Sequence, residues 1–191
     1  DPYPAAERGR NILYTSFSER PKHLDPAQSY TSDEAEFTAQ IYQPPFQYHY
    51  LKRPYELIPD AAVALPKPRY LDKAGRELPA TAPVAEIASS VYEIRIKPGQ
   101  KFQPHPAFVP GNRALSREAI AGKYKLADFG DSASRELKAE DYVYEIKRLA
   151  HPRVNSPIFG HMADYIVGLK EYGDKLKGEV KKLETEKGKG A

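Results

Sequence analysis

Proline recurs along most of this chain and sets the first limit on its fold. The 191 residues include 18 prolines. Each proline removes a backbone donor and fixes φ, which suits turns and sheet edges but breaks helix interiors. The sequence therefore predicts many turns, long connections and edge strands instead of a helix bundle. The length is sufficient for one sizeable domain or two small ones.

Charge and cysteine content argue against several functional classes. The chain carries 29 basic and 26 acidic residues, a net charge of +3 that is too balanced to predict nucleic-acid binding. It has no cysteine, so neither disulfide nor thiolate chemistry is available. The apolar runs are shorter than the roughly 18 residues that a transmembrane helix needs. The lysine surplus in residues 175–189 alternates with glutamate, which predicts a solvated polar helix with a loose end.

Local patterns predict the elements of the first hundred residues. β-Branched and aromatic residues predict a strand over 11–17. A helix is predicted to begin near Asp33, with Thr31 or Ser32 as its N-cap. An aromatic strand is expected over 46–51 and a hairpin over 68–78 with its tip near 72–75. Residues 90–97 alternate and predict a half-buried strand, whose apolar face comprises Tyr92, Ile94 and Ile96.

The second half is predicted to be a long loop followed by helices. Residues 103–137 contain several prolines and favour a loop, with a helical turn over 116–121. Apolar residues at helical spacing predict a helix over 138–150, which ends before Pro152. A second, longer helix is predicted from Pro157 towards Glu186.

Motifs that resemble catalytic or metal sites are incomplete. Asp128 belongs to an Asp-Phe-Gly triplet, but the other protein-kinase motifs do not accompany it, so a loop turn is the better interpretation. Ser132 lies in a sequence that resembles a nucleophile elbow without its closing glycine. The histidines lack the spacing of paired metal ligands. We predict no enzymatic activity, no metal and no cofactor; the histidines are His23, His49, His105, His151 and His161.

Two further groups of side chains have both structural and functional interpretations. The carboxylate pairs at helix starts, Glu34 with Glu36 and Glu140 with Asp141, are more typical of capping and dipole stabilisation than of acid–base catalysis. An aromatic cluster is expected mainly in the core or on a sheet face, with some rings available to line a ligand cleft. Its members are Tyr42, Phe46, Tyr48, Tyr50 and Tyr55.

Seven motifs in series resemble the N-terminal region of bacterial extracellular solute-binding proteins of family 5, the peptide- and nickel-binding receptors of ABC importers. The most informative are YEIRIKPGQKF at 92–102 and LKAEDYVYEIKR at 137–148. The others are residues 12–17, 24–27, 40–46, 57–62 and 150–157. Residues 104–136 replace a short turn of the family, and the hairpin over 69–77 also resembles an insertion.

The resemblance implies an α/β fold of the periplasmic-binding-protein type (type II), here an incomplete N-terminal part of lobe one with its extra subdomain. It assigns residues 1–10 to a loose arm, 11–45 to the start of lobe one, and 46–170 to the extra subdomain with the inserted loop 103–137. Residues 171–191 form a polar, lysine-rich C-terminal helix and tail.

The resemblance also implies a function without covalent chemistry. The protein would capture peptides or similar small solutes between two lobes for the transmembrane permease of an ABC importer, in the periplasm or outside the cell, with a signal peptide already removed. The second lobe, the remainder of its own chain, would be a required partner. By position, the resemblance implies ligand contacts from the backbone of Tyr30, Thr31 and Ser32 and from the wall residues Ile158 and Phe159.

Two alternatives from other classes remain open on sequence alone. A stand-alone interaction or scaffold module could use the same subdomain, with its lysine-rich helix as the contact surface. A cryptic hydrolase could use Ser132 as its nucleophile. The two implied ligand segments also have ordinary structural interpretations. In these, Ser32 would cap a helix and Phe159 would fill the core.

Overall fold

The computed structural model describes residues 4–12, 14–16 and 18–188 of the chain. It divides into two compact units, one made of Asp1–Tyr42 and Lys147–Ala191, the other of Gln43–Ile146. The class is mixed α/β with small antiparallel sheets. Within the described residues, no helix is both long and apolar enough to span a membrane.

Five α-helices and five short strands occur in the described ranges. The helices are α1 (Ser32–Ile41), α2 (Arg117–Ile120), α3 (Ala139–Leu149), α4 (Phe159–Tyr165) and α5 (Leu169–Gly188). The strands are β1 (Phe46–Tyr48), β2 (Leu57–Pro59), β3 (Arg69–Leu71), β4 (Glu77–Leu78) and β5 (Ser89–Val91). Short 3-10 turns lie at Ala5–Glu7, Val84–Glu86, Pro106–Phe108, Pro110–Ala114 and Leu126–Phe129.

Helices α1 and α3 confirm two of the predicted helices, whereas the prediction of one long C-terminal helix is wrong. That helix is interrupted between Tyr165 and Leu169, which gives α4 and α5. Gly168 lies in the break with φ of 83°, a left-handed conformation that glycine adopts without a steric penalty. The apolar spacing continues through the break, so periodicity alone did not reveal it.

The strand predicted over 11–17 is wrong for its described residues, because 11, 12 and 14–16 lie outside any strand. Leu13 and Phe17 lie outside the described residues. A strand requires a neighbour for its backbone groups. The described part of the first unit contains no strand that could supply one.

The second unit contains two small antiparallel sheets. β1 pairs with β2 with Gln47 opposite Ile58, and β3 lies between β4 and β5. The predicted hairpin over 68–78 is confirmed as β3–β4. The carboxylate of Asp72 accepts the N–H groups of Ala74 and Arg76, and Gly75 adopts a φ of 78° in the turn.

The strand predicted over 90–97 is shorter than expected. β5 ends at Val91, and the following extended segment makes only an isolated bridge between Ile96 and Ala62. Tyr92 is 56% exposed and Ile94 is 40% exposed, so the predicted apolar face is not covered here. The alternation correctly indicates extended backbone, but no neighbouring strand pairs with most of the segment.

The loop predicted over 103–137 begins and ends in a paired stem. Phe102 donates its N–H to the carbonyl of Arg135 at 3.0 Å, and His105 and Ala133 exchange both of their backbone hydrogen bonds. The Arg135 guanidinium stacks 4.4 Å from the Phe102 ring centroid and also binds Asp141. The excursion between the two sides of the stem contains α2, which confirms the helical turn predicted over 116–121.

The described core is thin and built mainly from small residues. Its buried apolar side chains are Ala27, Ala61, Ala62, Leu149, Ala150 and Leu169. The accessible surface is 15453 Å². Two independent domains of these sizes would together expose only about 11,000 Å². Much of the surface is therefore left in contact with solvent, and it includes large hydrophobic side chains such as Val84 and Val167, which are 85% and 87% exposed.

Candidate functional site

The predicted ligand loop of the first unit joins a tight turn to the start of α1. The Asp25 carbonyl accepts the N–H groups of Gln28 and Ser29, which forms the turn. Thr31 then caps α1, since its side chain accepts the N–H of Glu34 at 3.3 Å. This confirms Thr31, one of the two predicted candidates, as the N-cap, whereas Ser32 is the first residue of the helix.

The carboxylate of Glu34 organises the loop. It is only 3% exposed and accepts four backbone N–H groups. Oε1 binds Lys22 and His23 at 3.0 and 2.9 Å, and Oε2 binds Tyr30 and Thr31 at 2.9 and 3.3 Å. One side chain thus holds two stretches of loop that flank the turn at Asp25.

These hydrogen bonds lower the pKa of Glu34 from its ordinary 4.5 to about 2. The N–H of Tyr30 contributes most, followed by that of His23; burial acts in the opposite direction, and the N–H groups of Thr31 and Lys22 add to the lowering. All four bonds stabilise the ionised form, so Glu34 carries its negative charge throughout the neutral range.

A second carboxylate, Asp25, joins this loop to the end of α3. The Arg148 guanidinium donates to both carboxylate oxygens, at 2.9 Å for Nη1 to Oδ1, and the two side chains are about 30% exposed. The hydrogen bond from Arg148 lowers the pKa of Asp25, burial opposes that effect, and the N–H of Ala27 adds to it. A bidentate pair of this kind fixes orientation as well as distance.

A neutral hydrogen bond joins the same two regions further along the chain. Gln28 donates its side-chain amide to the carbonyl of Val154 at 2.8 Å. This bond joins the loop that precedes Tyr30 to the loop that precedes Ile158, so the two predicted ligand segments each follow one end of the same contact. Tyr30 to Ser32 follow Gln28 directly, and Ile158 and Phe159 come shortly after Val154.

The structure gives each predicted ligand residue a definite environment. Tyr30 is 74% exposed, but its N–H and that of Thr31 are bound to Glu34 and are unavailable to a ligand. Ser32 is exposed, and its N–H has no partner among the described residues. Of this loop, the groups left for an extended peptide are the Tyr30 carbonyl and the Ser32 N–H.

The two predicted wall residues lie at the start of α4 and are half-buried. Ile158 occupies the N-cap position. The ring of Phe159 packs against Gly173 in α5 so closely that a Cβ on Gly173 would meet Cζ at 2.5 Å. The Phe159 ring therefore contributes to helix packing within the first unit.

The capping role predicted for Glu34 is confirmed, but sequence reasoning missed its bonds to Lys22 and His23 and the partner of Asp25. The signal for Glu34 was present, because threonine followed three residues later by glutamate is the sequence signature of a capping box. The Asp25–Arg148 pair joins residues separated by 123 positions, and nothing in the local sequence of either residue indicates the other.

The second unit brings together residues from four of the segments that carry the resemblance. The Pro44 carbonyl accepts the N–H of Ala61, and the Pro45 carbonyl accepts those of Asp60 and Ala62. Ala61 and Ala62 are fully buried, which allows the backbones to approach closely. The motif at 57–62 is thereby fixed against the motif at 40–46.

Two further hydrogen bonds complete this junction. Lys97 donates its backbone N–H to the Ala61 carbonyl at 2.9 Å, and the Tyr142 hydroxyl donates to the Gln43 carbonyl at 2.8 Å. Burial raises the pKa of Tyr142, and the negative charges of Asp60 and Asp141 add to the effect. Tyr142 therefore keeps its proton and remains a hydrogen-bond donor.

The other sequence candidates occupy ordinary loop positions. Asp128 accepts the N–H groups of Tyr124 and Lys125 in a 3-10 turn. Ser132 is exposed, and none of its hydrogen bonds in the described ranges involves a histidine or a carboxylate. The described residues also contain no cluster of three or more potential metal ligands.

In comparisons with known proteins, no protein-family model, curated protein or solved structure matches the chain.

Proposed function

We propose that this chain is part of the substrate-binding component of an ABC importer, of the family 5 periplasmic-binding-protein type, and that it helps to capture peptides or similar small solutes. The proposal places the protein in the periplasm or outside the cell. Its partners would be the solute, a transmembrane permease and a second lobe that completes the cleft.

The observation that carries the proposal is the bidentate pair between Asp25 and Arg148. Asp25 belongs to the recognised motif at 24–27, and Arg148 ends the motif at 137–148. A resemblance made of unrelated short matches gives no reason for residues 123 positions apart to be paired. The pairing supports the interpretation that the motifs belong to one inherited arrangement.

The contacts of the second unit support the same interpretation. The motifs at 40–46, 57–62, 92–102 and 137–148 all meet through backbone groups or Tyr142. Pro44 and Pro45 of the motif at 40–46 and Ala62 of the motif at 57–62 contribute backbone groups to these contacts. The insertion over 104–136, by contrast, is closed by its own stem.

The exposed area supports a role within a larger protein. The folded chain exposes 15453 Å², whereas its unfolded form would expose about 31,000 Å². Folding therefore buries about half of the surface, compared with about 65% for two independent domains of these sizes. A second lobe that covers part of the remaining apolar surface would account for the difference.

A peptide titration followed through backbone amide NMR shifts tests this proposal. We expect trialanine to shift the amides of Ser32 and Ile158 with a dissociation constant in the millimolar range, because one side of the cleft is absent. Glucose serves as the control solute and should cause no shift. The Glu34→Gln variant should weaken the effect, because the loop loses the carboxylate that orders it.

Two outcomes would count against the proposal. Peptide binding with micromolar affinity would show that the chain needs no second lobe. Amide shifts that are absent for trialanine, or equal for trialanine and glucose, would remove the support for peptide capture by this loop.

A further inference from the structure

The hairpin β1–β2 presents an exposed aromatic surface that the proposed solute capture does not use. We name residues 48–56 the tyrosine tip. It contains Tyr48, Tyr50, Leu51 and Tyr55, which are 66%, 81%, 69% and 69% exposed. Contiguous exposed apolar side chains with a polar border are typical of interaction surfaces.

The backbone of the tip is ordered by its own hydrogen bonds. His49 donates its N–H to the Glu56 carbonyl at 2.8 Å, and its Nδ1 accepts the N–H groups of Leu51 and Lys52. Arg53 Nη1 donates to the Lys52 carbonyl at 2.8 Å. A partner would therefore meet a loop whose shape is already set, which lowers the entropic cost of binding.

The rings of the tip are also held in place. Tyr48 and Tyr55 meet edge to face with centroids 5.8 Å apart, and the Arg53 guanidinium lies 4.3 Å from the Tyr55 centroid. Rigid tyrosines supply contact area with little loss of side-chain freedom. Tyrosine and arginine are also enriched among the residues that dominate protein–protein affinity.

The charges of the tip select the kind of partner. Lys52 is paired with Glu56 at 2.8 Å. Arg53 therefore provides the remaining positive charge, and its Nε and Nη2 have no hydrogen-bond partner among the described residues. These donors match a carboxylate in geometry and charge. A single such cation is too little for an anionic bilayer or a nucleic acid, which are bound through clusters of cations.

We propose that the tyrosine tip is a docking surface for an acidic, apolar segment of another protein. A carboxylate of that segment binds Arg53, and its apolar side chains pack against Tyr50 and Leu51. The proposal is independent of solute capture, because it rests only on residues of the hairpin.

The test is a selection of random dodecapeptides, displayed on phage, against the immobilised full chain. We expect enriched sequences to place aspartate or glutamate beside apolar residues. A synthetic peptide from the selection should bind the wild-type chain and lose at least tenfold in affinity when its acidic residues are replaced by their amides, or in the Arg53→Gln variant. The double variant Tyr50→Ala with Leu51→Ala should bind no peptide.

Tyr124→Ala is the matched control, since Tyr124 is 91% exposed but lies in the loop 104–136. It should bind the selected peptide as the wild type does. Any one of four results would overturn the proposal: no enrichment, equal binding of the amide peptide, unchanged binding by the double variant, or tip-dependent binding to phosphatidylglycerol vesicles. Tip-dependent self-association in sedimentation would also overturn it, because a second copy would then be the occupant.

Discussion

Asp25 makes one carboxylate serve a local turn and a long-range pair. Its Oδ1 accepts the N–H of Ala27 at 3.1 Å and also the guanidinium of Arg148. Replacing Asp25 with asparagine keeps an oxygen for the turn but removes the charge that Arg148 requires. We expect Asp25→Asn to lower the free energy of unfolding by about 1–2 kcal/mol, measured by urea denaturation.

An exposed ion pair provides the control for Asp25→Asn. Lys52 and Glu56 are each about 50% exposed, so Glu56→Gln should lower the free energy of unfolding much less than Asp25→Asn does. Equal losses in the two variants would mean that the Asp25–Arg148 pair contributes no more than a surface contact does.

The lowered pKa of Glu34 makes the free energy of unfolding depend on pH in the acidic range. Its pKa is about 2 in the folded chain and 4.5 ordinarily, so the unfolded chain binds its proton first as the pH falls. Its contribution to stability is therefore complete above about pH 4.5 and is lost as the pH falls towards 2. We expect Glu34→Gln to be less stable than the wild type at neutral pH and to show a smaller loss of stability over this window.

Urea denaturation at successive pH values measures this difference. Other carboxylates with lowered pKa values, including Asp25 and Asp141, titrate in both proteins. The difference between the two curves isolates Glu34 for that reason. Parallel curves below pH 4.5 would show that the four N–H groups do not lower the pKa of this side chain.

For individual side chains, the sequence predicts hydrogen-bond partners that are close along the chain but not those that are distant. The capping box of Thr31 and Glu34 can be inferred from their spacing. The additional N–H groups of Lys22 and His23 cannot, because they reach Glu34 only after the preceding loop has folded back. The predicted peptide-binding role of the Tyr30 backbone did not anticipate that Glu34 already occupies its N–H.

The contact between α4 and α5 depends on one glycine of α5. Alanine at an open helix position stabilises a helix by about 0.5–1 kcal/mol relative to glycine. Gly173 faces the Phe159 ring, whereas a Cβ on Gly178 would meet nothing within 4 Å. We expect Gly178→Ala to raise the free energy of unfolding and Gly173→Ala to lower it, since the ring must move out of its contact.

Urea denaturation of the two variants, followed by circular dichroism, separates helix propensity from packing. Both changes add the same methyl group to the same helix, so any difference arises from the surroundings. A rise of similar size in both would show that Phe159 can move without cost, and the ring would then be free to take part in a binding surface.

Element prediction succeeded where neighbours along the chain determine the structure. The N-cap of α1 and the apolar spacing of α3 are local, so the start of α1 and both ends of α3 were predicted within about one residue. The strands over 11–17 and 92–97 depend on partners elsewhere, and the alternation in their sequences cannot supply those partners. The Gly168 break was also missed, since the apolar spacing on either side is continuous.

The exposed area of the whole chain determines its response to denaturant. The m-value scales with the surface that unfolding exposes. Since the folded chain already exposes 15453 Å², unfolding adds about one-fifth less surface than it would for two independent domains of these sizes. We therefore expect a urea m-value about one-fifth below that expected for two independent domains of these sizes.

Guanidinium and urea titrations of the full chain, analysed with a two-state fit, check this value. A reference protein of similar length with a complete core is the matched comparison. An m-value equal to that of the reference would mean that the chain buries a normal surface in solution, and it would remove the argument for a missing lobe.

The stem that closes residues 104–136 should allow this segment to change in length during evolution. Because His105 and Ala133 are paired directly, the excursion between them starts and finishes at the same place. Its length can change over generations without moving Tyr142 or the alanines at 61 and 62. Natural variants of this protein should therefore differ in size mainly here, and a fluorescent or affinity domain grafted into the excursion should leave the rest of the chain undisturbed.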